Sequence, residues 1–198
     1  MPVVNLAVEG TTDLAVVSKI LEDVGLELGN AYGQQGKAHL DSRLAGYNNS
    51  ARFRPWIVVR DLDHDAICAA TLVSSLLPKP AEFMRLRIAS RAIESWLLAD
   101  PKMLARFFSI GVSLIPIYPD ELDDPKATLI SLARHSRKRQ IVDAMVPRQG
   151  SLRRVGPGYG SLIARFAATE WRPRVAALRS HSLARCIARI KELGPREI

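Results

Sequence analysis

Cysteine is almost absent: among 198 residues only Cys68 and Cys186 occur, far apart and each beside apolar neighbours. Two such thiols give neither a disulfide framework nor a Cys-based zinc site, and both read as reduced core residues. Histidine is nearly as sparse, and His39, His64, His135 and His181 fall at no metal-ligand spacing. No apolar run reaches the length of a membrane-spanning helix. The opening Met1-Pro2-Val3-Val4 lacks the charged, apolar and small-residue zones of a secretion signal. A cytoplasmic protein with no membrane partner is therefore expected. Repeats, low-complexity tracts and long Gly/Ser or Pro linkers are also missing, which favours a single folding unit. Gly156-Pro157-Gly158-Tyr159-Gly160 has glycines but no lysine and no following strand-helix context, so it reads as a turn before a helix and not as a phosphate loop.

What the chain does have is apolar content and an uneven charge. At 47% hydrophobic it can bury a sizeable core. The net charge of +8 is concentrated late: residues 1–133 hold 13 Lys/Arg against 16 Asp/Glu, and residues 134–198 hold 15 against 4. A carboxylate-rich front joined to a basic back fits a metal centre beside a surface for a polyanion, most simply DNA or RNA. Arginines that merely solvate exposed helix faces explain the same numbers, so charge alone does not choose between these readings.

The pattern of apolar residues supplies the fold class. Val3 to Val8 is an apolar run ending at Glu9-Gly10, and Leu14, Val17, Leu21 and Val24 then recur at helical spacing over Thr11 to Val24. The unit repeats: Trp56-Ile57-Val58-Val59 runs into Arg60-Asp61-Leu62-Asp63-His64-Asp65, followed by a helix-like stretch from Ala66 to Leu77. Phe83 to Ile88 reads as a third strand and Val112 to Ile117 as a fourth, with a helix near Lys37 to Leu44 and a loop at Asn48-Asn49-Ser50. Asp100-Pro101 and Asp124-Pro125 have the form of helix starts, an N-capping carboxylate followed by proline in the first turn. Asp65 is a candidate N-cap as well. Strands alternating with helices imply a mostly parallel sheet flanked by helices, an α/β core over residues 1–124. Residues 125–198 read as a basic, all-helical extension packed on that core, closing with Ser182 as N-cap, an apolar stripe from Leu183 to Leu193, and Gly194-Pro195 as the stop.

In open α/β sheets ligands gather at the carboxyl ends of strands, and three acidic residues occupy such ends. Glu9 follows the first strand. Asp61 and Asp63 follow the second apolar strand, and period-two alternation is expected to send both carboxylates to one side with Leu62 turned away. Hard cations such as Mg²⁺ or Mn²⁺ take oxygen ligands and often only one or two carboxylates. Each acidic residue also has an ordinary explanation: Asp is frequent in turns, Asp13 would complement a helix dipole, and Glu94 would pair with Arg91 or Arg87. Trp96, Trp171, Phe107 and Phe108 lie in apolar stripes and are expected in the core.

Val8-Glu9-Gly10-Thr11-Thr12-Asp13 and Asp61-Leu62-Asp63, each after an apolar strand and about fifty residues apart, resemble the two signatures of the Toprim domain. This domain occurs in topoisomerases, primases, recombination proteins and the overcoming-lysogenization-defect nucleases. The closer likeness is to small stand-alone bacterial Toprim-like proteins, which share a helix like Ala92 to Asp100, the Pro125-Lys126 helix start and the Ser182-Leu183 terminal helix. The resemblance implies a Toprim-like sheet with Glu9 as general acid/base or metal ligand, Asp61 and Asp63 as metal ligands, and Asp13 and Glu94 completing the set. Arg60, Arg91 and Lys126 would meet phosphate or nucleic acid. It further implies a Mg²⁺- or Mn²⁺-dependent nuclease, with a place in bacterial phage defence beside a separate ATPase. A non-catalytic nucleic-acid- or protein-binding module is the second reading. A phosphatase or sugar-nucleotide transferase is the third, because Asp-x-Asp also serves those folds; the haloacid-type phosphatase loop is matched poorly by His64-Asp65-Ala66.

Overall fold

The protein is described by a computed structural model covering residues 2–194. Four strands, β1 (Val3–Val8), β2 (Glu27–Gly33), β3 (Trp56–Asp61) and β4 (Met84–Ala89), form one parallel sheet in the order β2-β1-β3-β4. The α/β class is thus as expected, and a four-stranded parallel sheet between helices is consistent with a Toprim-like fold. Alternation along the central strands loads both faces. Val4, Leu6, Val8, Ile57 and Val59 face one core, while Ala7, Trp56 and Val58 face the other.

The second face is covered by α2 (Lys37–Ser50) and α3 (Ala69–Leu76), through Leu40, Leu44 and Leu72. The first and larger face takes α1 (Thr11–Asp23), α4 (Glu94–Leu98) and α5 (Pro101–Phe108). It also takes the later helices α6 (Pro125–Arg134), α7 (Arg139–Met145), α8 (Tyr159–Thr169), α9 (Pro173–Ala176) and α10 (His181–Lys191). Residues 125–194 therefore share one core with the sheet. Trp96, Trp171, Phe107 and Phe108 lie within it, as their stripes predict. No described helix is long and apolar enough to cross a membrane.

Several local expectations are corrected. The outer strand β2 has no counterpart in the apolar pattern, because Glu27-Leu28-Gly29-Asn30-Ala31-Tyr32-Gly33 is a partly exposed edge. Val112 to Ile117 is not a strand: Val112–Leu114 forms a 3-10 turn, and Val112, Leu114 and Ile117 are exposed. Asn48-Asn49-Ser50 belongs to α2, since Asn48 directs its amide into tertiary bonds with Lys79 O (3.1 Å) and Ala81 N (2.8 Å). Asp65 is not an N-cap; α3 begins later, at Ala69. Ser180, not Ser182, caps α10, accepting from Leu183 N–H at 3.1 Å, while Ser182 Oγ receives the Trp96 indole at 2.7 Å. Cys186 is buried as expected, but Cys68 is exposed. Pro195 lies outside the described residues.

The two predicted Asp-Pro helix starts are present, and one has a second role. The Asp100 carboxylate, fully buried, caps α5 and also receives the Arg172 guanidinium at 2.7 and 2.9 Å, tying the C-terminal helices to the sheet-side ones. Removing one partner of such a pair strands the other's charge. Arg172→Ala, which leaves the fully buried Asp100 carboxylate without its guanidinium, should lower unfolding free energy by about 3–5 kcal/mol, read by urea denaturation followed through tryptophan fluorescence. One cooperative transition is expected for both proteins; two separate transitions would contradict a shared core.

Candidate functional site

The chain's outward connections diverge at β1 and β3, with β2 beyond one and β4 beyond the other. The carboxyl ends of those two strands thus form the crevice where open α/β sheets take ligands. Glu9 follows β1 there and Asp61 closes β3. Glu9 Oε1 accepts the Asp61 N–H at 2.9 Å. Asp61 Oδ1 accepts the Ile93 N–H at 2.9 Å, which fixes the end of β3 to the turn entering α4. Asp13, in the first turn of α1, accepts the Gly10 N–H at 2.7 Å. It therefore does cap its helix locally, yet it is buried and faces the other acids.

Glu94 opens α4 and is only 2% exposed. It does not pair with Arg91 or Arg87. Its Oε1 receives the Tyr159 hydroxyl at 2.8 Å and faces Lys126 Nζ at 3.4 Å, while its Oε2 is buried without a hydrogen-bond partner. Tyr159 reaches Glu94 because the preceding turn lies against α7. A Cβ on Gly156 would come within 2.4 Å of Ala144 O, and one on Gly158 within 2.8 Å of Ala144 Cβ. Only glycine permits that approach.

Four carboxylates, Glu9, Asp13, Asp61 and Glu94, thus share a neighbourhood in which the half-exposed Lys126 is the cation facing Asp13, Asp61 and Glu94, while Arg60 and Lys37 act on Glu9. The electrostatic consequence is a set of displaced titrations. Burial, then the Asp13, Glu94 and Glu9 charges, push Asp61 well above the usual carboxylate range. Burial, then Glu94, push Asp13 up to about 7. Burial also raises Glu9, partly offset by the Asp61 N–H and Arg60. Burial works against the Lys126 ammonium, but Glu94 and Asp61 outweigh it and hold its proton more tightly. Burial and Glu94 keep the Tyr159 phenol protonated, so that it donates to Glu94.

Asp63 departs from the expected arrangement. Strand pairing stops at Asp61, and Asp63 takes a left-handed backbone conformation (φ 47°), so simple alternation fails at that point. Its carboxylate meets Lys37 Nζ at 2.8 Å, and the same ammonium binds Asp65 at 2.9 Å. Arg60 is 4% exposed and fully engaged with Asp41, Asp65 and the Asp61 carbonyl. It braces the loop after β3 and is not placed to reach a phosphate. Arg91 and Lys126 do line an open pocket of about 670 Å³, together with Asp61, Asp63, Asp123 and Arg154. Arg91 bonds the Asp63 carbonyl at 2.8 Å and approaches His64 Nδ1 at 3.2 Å.

Among the described residues, no group of three or more His, Cys, Asp or Glu is arranged to hold a metal ion as it stands. The donor chemistry nonetheless suits a hard divalent cation: the donors are carboxylate oxygens, Glu94 Oε2 lacks a partner, and three acids face one ammonium. Mg²⁺ commonly takes one or two protein carboxylates and keeps several waters, so a pair drawn from Asp13, Asp61 and Glu94 suffices. No family model, curated protein or solved structure matches the chain.

The motifs did not reveal Lys37, Tyr159 or Arg154. Lys37 has no local signal. Tyr159 could have been suspected from the glycines before it, which mark a close backbone approach.

The raised carboxylates fix the sign of a pH effect. An acid whose folded value exceeds its unfolded one contributes stability that is complete below the unfolded value and is lost as pH rises through the folded value. For Asp13 the window runs from 3.8 to about 7. In EDTA the urea midpoint should therefore fall between pH 5 and pH 8, and Asp13→Asn should flatten the fall and stabilise the protein at pH 8. Equal slopes for variant and wild type would refute the assignment.

Proposed function

We propose that the protein is a divalent-metal-dependent phosphodiester-cleaving enzyme acting on nucleic acid. One observation carries the reading: four carboxylates from the ends of β1 and β3 and the starts of α1 and α4 converge beside an open pocket, with Glu94 Oε2 buried and bare. Clustered acids that lack enough compensating cations raise one another's cost of ionisation and destabilise the fold wherever they carry charge. A site that tolerates this has a use for the charge. Asp13, Asp61 and Glu94 would hold Mg²⁺ or Mn²⁺, with Glu9 beside them. Such a cation supplies charge neutralisation for a phosphate and a more acidic bound water.

The chain's own residues do the remaining work. Glu9, with its pKa raised by burial and its orientation fixed by the Asp61 N–H, is suited to take up or give a proton. Arg91, Lys126 and Arg154 offer positive charge from the pocket wall to a phosphate. Tyr159 holds Glu94 Oε1, so that the other oxygen keeps one direction. Asp63, clamped by Lys37 at the pocket margin, could reach a cation only by exchanging that partner. The bacterial-defence role and the ATPase partner belong to the Toprim resemblance and extend the proposal. The non-catalytic reading requires the same pocket to bind nucleic acid without the carboxylates.

A cleavage assay on supercoiled DNA, single-stranded DNA and structured RNA with Mg²⁺ or Mn²⁺ tests the reading. Asp61→Asn should reduce the rate by at least about a hundredfold, and Glu9→Gln by about ten- to a thousandfold. Cutting that survives both substitutions, or none in any metal with the ATPase partner supplied, would overturn the reading.

A further inference from the structure

A second open cavity, of about 890 Å³, lies between β4, α3 and α10. Its wall is cationic in a regular way. His181, Arg185 and Arg189 recur every fourth residue on α10 and therefore share one face of that helix. Opposite them, β4 alternates: Met84, Leu86 and Ile88 enter the core beneath α2 and α3, while Arg85 and Arg87 turn to the α10 side. Arg85 is ion-paired with Glu192 at 3.4 Å and Arg189 with the same carboxylate at 2.8 Å. Asp120, also in the wall, is spent on the Ser180 and Ser182 hydroxyls and the Ser182 N–H.

Arg87 and Arg185 have no such neutralisation. Neither makes a salt bridge among the described residues, and Arg87 Nε is buried with no hydrogen-bond partner. The neighbouring Cys186 thiol gives no counter-charge, since burial pushes it up to about 12 and keeps it neutral. A buried guanidinium N–H without an acceptor is costly, and an anion in the groove would offset the unbalanced charge of Arg87.

The groove also leads somewhere. Ser90 lines it while its neighbour Arg91 lines the acidic pocket, and Asp120 lines it while Asp123 lines that pocket. The left-handed backbone at Arg91 (φ 57°) turns the chain at this shared rim. Arg87 and Arg185 in the groove, Arg91 on the rim, and Lys126 and Arg154 beyond it mark a cationic route into the carboxylate cluster.

We infer that this groove is the track for a single nucleic-acid strand, with Arg87 and Arg185 contacting backbone phosphates upstream of the acidic site. The direction of the strand toward that site rests on the proposed function; the phosphate contacts do not. A polar groove beside an edge strand suits one flexible strand, whose phosphates a row of spaced guanidinium groups can follow.

The test is fluorescence anisotropy with a fluorescein-labelled single-stranded DNA of about 20 nucleotides, in EDTA over a salt series. Wild type should bind with salt-dependent affinity. Arg185→Glu, at an exposed position that leaves the core intact, should weaken binding by about tenfold and flatten the log–log salt slope by about 0.7 or more. Arg87→Gln should act in the same direction, with its fold checked by circular dichroism. Arg139→Glu, an exposed control outside the groove, should stay within about twofold of wild type. Absence of wild-type binding, unchanged binding by Arg185→Glu, or equal weakening by Arg139→Glu would each overturn the track. Binding in EDTA is read with neither metal nor cleavage, so failure of the catalytic reading leaves the anisotropy result standing, whereas failure of the groove does not.

Discussion

The arrangement of this protein depends on a repulsion. Glu9, Asp13, Asp61 and Glu94 are drawn together, the last three around Lys126, and the fold holds them there through backbone N–H groups and a tyrosine hydroxyl. Each bond can be traced to a topological cause. The Asp61 N–H is available to Glu9 because β1 and β3 are neighbours. The Ile93 N–H reaches Asp61 because β4 lies on the far side of β3 and its exit turn passes over the strand end. Parallel pairing is what places all three exits at one rim.

The basic helical half completes this rim as well as covering the sheet. Lys126 comes from the start of α6, Tyr159 from the start of α8 and Arg154 from the loop between α7 and α8. The Asp100–Arg172 pair and the shared apolar core fix those helices to the sheet. The charge asymmetry along the chain is therefore a spatial arrangement, in which the carboxylates come from the sheet side and much of the positive charge around the two cavities comes from the helices added to it.

Much of this was legible in the residues. Apolar runs ending at Glu9 and Asp61 gave the two central strands, and helical spacing after each gave the parallel α/β class. Asp13 and Glu94, suggested by the Toprim resemblance, lie with Glu9 and Asp61 in the structure. The edge strand β2 was hidden because a partly exposed strand carries little apolar signal. Asp63 misled because alternation presumes extended backbone, and the chain leaves that conformation one residue after the strand ends. Lys37 was out of reach because Asp63 stands 26 residues away, and the glycines before Tyr159 mark a close approach without pointing to Glu94, 65 residues away. No local pattern encodes such a contact. Arg60, adjacent to Asp61 in sequence, looked like a phosphate ligand and proved to be a buried brace.

The central claim is that the carboxylate cluster exists to bind a divalent cation, and Mn²⁺ titration followed by electron paramagnetic resonance tests it without reference to any substrate. The account predicts saturable Mn²⁺ binding at neutral pH that weakens as pH falls below about 7, where Asp13 takes up its proton, and that is lost in Asp61→Asn and in Glu94→Gln. Mn²⁺ remaining free at millimolar concentration, or binding that is indifferent to both substitutions, would contradict it.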